Sequence, residues 1–160
     1  MFLSDGMIVF NLNGKDWVIK DAVASFSDLT GIGGGQTITI SASVAVDTNT
    51  FKTVGLNIRD TEIKALVYAF STSGTGSDIN IDEGKTTITG TRYQTVNPDN
   101  STSGAGKINL SIFDKSTDKI SGSFSGEIFK SSYTDTSDTE WSKTSIKSGR
   151  FNNIPLIIGK

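Results

Sequence analysis

The sequence predicts an all-β fold: a single antiparallel β-sandwich or barrel of about nine or ten strands, with at most one short helix. Three observations carry this. Residues 119–129 (KISGSFSGEIF) alternate strictly, with Ile120, Phe124 and Ile128 on one face, Gly122 and Gly126 between them, and Ser121, Ser123, Ser125 and Glu127 on the other. Successive strand side chains point to opposite faces, so the pattern means one buried and one wet face. Ser and Thr make up about a quarter of the chain and Gly contributes 17 residues, which suits hydroxyl-faced strands joined by glycine turns. Turn signals recur between the apolar runs along most of the 160 residues, with no repeat or linker to divide them, so 1–160 reads as one domain.

The elements follow in order. Asn13-Gly14 between residues 7–12 and 15–20 is the strongest two-residue hairpin signal; Ile8, Phe10 and Leu12 alternate before it, Trp17 and Ile19 after it. Trp17 is thereby expected to anchor the core. A strand near 22–27 leads into Gly31-Ile32-Gly33-Gly34-Gly35. That cluster is a plain turn, since Gln36 stands where a dinucleotide fingerprint needs glycine and a strand follows instead of a helix. Residues 36–46 predict a long strand with Ile38, Ile40, Ala42, Val44 and Val46 inward, and Val54, Leu56 and Ile58 predict the next.

Residues 60–70 fit two patterns. Ile63, Leu66, Val67 and Phe70 match a helical face, with Asp60 or Thr61 as N-cap, whereas Leu66, Tyr68 and Phe70 match a strand. A loop at 71–78 precedes short strands near 79–81 and 86–93, and 97–106 (NPDNSTSGAG) is a further loop. Ile108, Leu110 and Ile112 mark a strand, 114–118 a turn, 120–129 the long strand, and 131–142 a polar excursion. Residues 143–151 and 154–158 close the chain. Gly149 is expected to form a bulge that turns Phe151 inward, and Pro155 to confine the last segment to an edge or a strand start.

Composition excludes several chemistries. There is no histidine and no cysteine, which removes His-dependent triads, thiol nucleophiles, disulfides and ordinary zinc or iron–sulfur sites. A net charge of −2 and scattered lysines leave no footprint for nucleic acid. No stretch approaches the roughly 20 apolar residues of a membrane span, and MFLSDGMIVF lacks the charged n-region and long apolar core of a signal peptide. Asp78, Asn80, Asp82 and Glu83 before Gly84 miss calcium-loop spacing, because the glycine comes one place late and Thr89 replaces the chelating glutamate. No two carboxylates are selected as a glycosidase pair, so no catalytic residue, cofactor or metal is expected.

One segment gathers carboxylates and aromatics: 133–141 (YTDTSDTEW). Tyr133 and Trp141 offer apolar ring faces to a sugar, while Asp135, Asp138 and Glu140 offer acceptors for its hydroxyls or hard oxygens for calcium. The plain alternative is an acidic loop whose two aromatics pin its ends. The expectation is therefore a non-enzymatic domain that binds a polar partner, glycan or protein, through its loops. Two alternatives stand beside it: a lipocalin-like carrier of a small apolar ligand, with room left by Gly122, Gly126 and Ala42, and an assembly subunit pairing through its edge strands.

The ending, 119–126 followed by 148–155 (SGRFNNIP), resembles the "isGtFsg…GxFxnvP" close of a family of small Bacteroidetes lipoproteins of unknown function. Asn13-Gly14-Lys15 with Trp17, and Thr87–Gly90, are similar to that family's earlier motifs. The resemblance implies a lipid-anchored protein of the periplasm, outer membrane or cell surface, with membrane contact only through the anchor. The lipobox cysteine of such an anchor is not among these residues.

Overall fold

Asn13 and Gly14 both take positive φ (52° and 82°), which is the type I′ geometry whose twist matches the strands it joins. In this computed structural model, which describes residues 3–85, 90–97, 102–133 and 141–158, that hairpin is the first of a series. The described residues form β1 (Met7–Leu12), β2 (Lys15–Ile19), β3 (Val23–Asp28), β4 (Gln36–Ala45), β5 (Thr50–Asp60) and β6 (Val67–Ala69). They continue as β7 (Gly76–Lys85), β8 (Gly90–Gln94), β9 (Gly106–Asp114), β10 (Lys119–Tyr133) and β11 (Ser142–Ile158). One 3₁₀ turn at Thr30–Ile32 is the only helical piece among them. The all-β expectation holds, with eleven strands in place of nine or ten.

The pairings β3–β4–β5–β7–β8–β10–β11 return to β3, so seven strands close a circuit, as in a barrel. Closure depends on two long strands. Along one edge, β10 pairs with β9 through Lys119–Gly126 and then with β8 through Phe129–Tyr133. Likewise β11 pairs with β1 in its first half and with β3 at Leu156–Ile158. The β1–β2 hairpin and the β9–β6 pair are flaps attached to these two strands. All pairings between named strands are antiparallel except β11–β3, which is parallel and departs from the purely antiparallel expectation.

Bulges explain where the sequence pattern slips. The two predicted closing segments are one strand, β11, with two bulges: Ser148 (φ 53°) and Asn153 (φ 44°) are each the extra residue against β10. Ser148, not Gly149, thus takes the bulge conformation. Pro155 lies inside the strand at neither an edge nor a start; it sits where β11 changes partner, and its missing N–H falls between β1 and β3. In β9, Ser121 pairs Ile112 while Gly122 pairs Leu110, so Ser111 is extra and the inward parity moves to Phe113. Phe113 packs 5.6 Å from Phe26, and Ile112 is left half exposed.

Nearly all the predicted inward residues form one core that includes Ile8, Phe10, Trp17, Ile38, Ile40, Leu56, Ile58, Phe124 and Phe151. Trp17 is 3% exposed and stacks 5.3 Å from Phe10. Val44 and Val46 are corrections: both are exposed, because the β4–β5 hairpin runs past the end of the core. Ser121, expected on the wet face, is buried and accepts the Asn153 N–H at the bulge, 2.8 Å.

The helical reading of 60–70 fails for a local reason. β5 runs through Asp60, Ile63 N–H donates to Gln36 Oε1 at 2.8 Å, and Lys64 N–H donates to the Tyr68 hydroxyl at 2.9 Å. These side chains take up amide donors that a first helical turn leaves open, and β6 forms instead. The alternative strand face is borne out at Tyr68 and Phe70, which are buried, but not at Leu66, which is exposed.

Gln36 also donates to Asp28 Oδ2 at 3.0 Å, fastening the glycine-rich turn to this segment. The hydroxyl and N–H of Thr30, then Gln36, hold the Asp28 carboxyl below its ordinary value of 3.8. A depressed acid stabilises the fold above its ordinary value and loses that effect as pH falls through the folded value. Asp28→Ala is therefore expected to lower the urea midpoint at pH 7, and its gap from the parent to close below about pH 4. A gap that stays constant down to pH 2.5 would contradict this.

Candidate functional site at the hairpin rim

Strand register collects four hairpin ends at one rim of the barrel. Leu12 pairs with Ile146 beside the start of β11, Thr50 pairs with Lys85, Gly84 with Gly90, and Gly90 with Tyr133. The β1–β2, β4–β5, β7–β8 and β10–β11 connections therefore leave from the same end.

Approaching that rim, the inward stripe changes character. Val54 gives way to Lys52, Ile81 to Glu83, Tyr93 to Thr91, and Ile128 to Lys130, each two residues further along its strand. Lys52 Nζ lies 3.5 Å from Glu83 Oε2 and 4.4 Å above the Trp17 ring. Burial, and then the Glu83 charge, push the Tyr93 hydroxyl above its ordinary value, keeping it a neutral donor. Lys130 is Tyr93's partner across β8–β10. Two ammonium groups, a carboxylate, a phenol and a hydroxyl thus follow the apolar core toward the rim, with the Trp17 ring beneath Lys52. Such a layer offers donors and acceptors to a hydroxylated ligand, in the mouth where barrels commonly bind.

Of the predicted loop, Tyr133 is the last residue of β10, opposite Gly90, and Trp141 is half-buried one residue before β11. Asp135, Asp138 and Glu140 lie outside the described residues. The structure brings the two ends of the loop to the same rim as Lys52, Glu83, Tyr93 and Lys130. Sequence reasoning missed these four. The available signal is a polar residue at inward parity, two places from Val54, Ile81 or Ile128.

Placement bears on two other readings. Residues 78–83 run within β7, with Asp78 bonded to Arg59 and to Asn57 Nδ2 (2.8 Å), so these acids form no chelating loop. Among the described residues no group of three or more acids is arranged to hold a metal. The inward glycines leave no room: a Cβ on Gly122 would stand 2.5 Å from the Phe151 ring, and one on Gly126 2.6 Å from the Phe70 ring. Aromatic rings fill the space beside these two glycines. Thr53, Val54, Gly55, Asn80, Ile81, Asp82 and Arg92 line a groove of about 380 Å³.

No family model, curated protein or solved structure matches the chain.

Proposed function

We propose that this domain binds a polar, hydroxyl-rich ligand, a glycan, at the hairpin rim and does not transform it. The observation that carries the reading is the inward polar layer Lys52, Glu83, Tyr93 and Lys130 at this rim, with Lys52 over the Trp17 ring and the strand-end residues Tyr133 and Trp141 at the same rim. Charged groups at inward parity cost desolvation unless they are paired or serve a ligand, and this layer supplies both kinds of partner in one place. Histidine and cysteine are absent, so the recognition groups are amines, carboxylates, hydroxyls and rings. The resemblance to Bacteroidetes lipoproteins supports work in the cell envelope on a lipid anchor.

The test is a glycan array followed by calorimetric titration of the best hits. Lys130→Ala and Trp141→Ala are each expected to weaken binding by at least about tenfold. Their melting temperatures are expected to fall by less than about 3 °C, since Lys130 and Trp141 are only half-buried. Parent-like affinity in both variants would exclude the rim. A small apolar molecule released from the denatured protein, seen by mass spectrometry, would favour the carrier alternative.

A further inference from the structure

Of the ten asparagines in the chain only Asn13 is followed by glycine, and the pair forms the tip of the β1–β2 hairpin, both residues exposed. Asparagine is chemically labile where the next residue's amide nitrogen can reach its side-chain carbon. A Cβ on Gly14 would meet nothing within 4 Å, so no neighbour crowds that nitrogen. The turn is nevertheless clamped. Gly14 N–H donates to Asn11 Oδ1 at 3.1 Å, and Asn11 Nδ2 donates across the ladder to Asp16 Oδ1 at 3.0 Å. Asn13 N–H donates to Ser145 O on β11 at 3.5 Å.

We propose that Asn13 is a deamidation site, and that the hydrogen-bond chain Asp16–Asn11–Gly14 sets its rate. The Gly14 amide nitrogen gives its proton to hydroxide and attacks Asn13 Cγ. A C–N bond forms there, the bond to the side-chain nitrogen breaks, and that nitrogen takes a proton from water and leaves as ammonia. Water then opens the succinimide ring at either carbonyl, leaving aspartate or isoaspartate. The net change is asparagine plus water to acid plus ammonia. While Asn11 Oδ1 holds the Gly14 N–H, the nitrogen is free neither of its proton nor to turn toward Cγ. Attack therefore runs through a locally opened turn, and whatever holds the turn closed slows it.

The two products differ in consequence. Isoaspartate lengthens the backbone inside a two-residue turn that needs positive φ at both positions, and the type I′ geometry does not absorb the insertion. The β1–β2 register, which sets Trp17 opposite Phe10, then slackens from its tip. Aspartate keeps the backbone and adds a carboxylate to a hairpin that already carries Asp16. Any consequence for glycan binding rests on the rim reading; the modification does not.

The experiment is peptide mapping by mass spectrometry of the full chain, incubated at about pH 8 and 37 °C, folded and in guanidinium chloride. The readout at each asparagine is the mass gain of amide-to-acid conversion. Conversion is expected to concentrate at Asn13 and to run slower in the folded chain than in denaturant. Asn11→Ala, which removes the acceptor from Gly14 N–H, is expected to speed folded-state conversion about two- to tenfold, the worth of one exposed hydrogen bond, and to leave the rate in denaturant unchanged. Should Asn11→Ala fail to fold, Asp16→Ala, which frees the Asn11 amide, is read in the same way. Conversion at Asn13 no faster than at exposed Asn49 overturns the site. Equal rates with and without denaturant, or an unchanged folded-state rate in the variant, overturn the clamp.

Discussion

Phe151→Ala is expected to destabilise the domain by about 4 kcal/mol, in the middle of the range for deleting a buried aromatic. Phe151 is 1% exposed, pairs with Ile8 on β1 and Gly122 on β10, and lies 6.4 Å from the Phe124 ring. Its ring also occupies the place of the side chain that Gly122 lacks. Truncation removes the ring's contacts with both neighbouring strands and uncovers the Gly122 backbone. The site collapses poorly, because β10 and β11 are held by ladders on both edges. Urea unfolding checks the figure: a parallel shift in midpoint with unchanged m-value gives the loss directly. Phe151→Leu, which refills part of the volume, is expected to cost about half as much. A loss under 1.5 kcal/mol for the alanine variant would mean that the ring is not a keystone between these strands.

The same two strands show how far the sequence was legible. Alternation in β10 and the Asn-Gly hairpin gave the fold class and the inward faces, because period two and a turn requiring positive φ at two successive residues are local properties. Where β11 bulges is not local. Ser-Gly at 148–149 and Asn-Asn at 152–153 tolerate a bulge, but which residue becomes the extra one is fixed by the pairing with β10 beside them. Val44 and Val46 continue a perfect alternation, yet lie beyond the end of the core they were expected to join.

The site follows the same division. The loop 133–141 drew notice through its composition, whereas Lys52, Glu83 and Lys130 look like surface charges until closure of the barrel fixes which face is inward. Glu83 acquires meaning only from Lys52, 31 residues earlier in the sequence and 3.5 Å away across β5–β7. Placement in the barrel, which no single segment encodes, makes Lys52 and Glu83 a pair and sets Lys130 beside Tyr93 on the same inward face.

Gly126→Ala is expected to cost about 3 kcal/mol or more, a large effect for a single methyl group. Gly126 has φ 150°, a region that L-residues rarely adopt, and its partner across β9–β10 is another positive-φ glycine, Gly106. A Cβ there would meet Ala105 O, Gly106 Cα and the Phe70 ring, each at 2.6 Å. Two of the three are backbone atoms, and Glu127 N–H donates to Ala105 O at 2.8 Å, so they cannot withdraw without breaking a ladder bond. Phe70 cannot supply the relief either, because its own N–H is bonded to Gly106 O at 2.9 Å and its ring is buried. If the ring alone were the obstacle, Phe70→Leu would rescue Gly126→Ala in a double-mutant cycle. The backbone contacts predict a coupling energy under about 1 kcal/mol, with most of the loss persisting in the double variant. Full rescue would place the constraint in the ring and leave the close approach of β9 to β10 without a structural role.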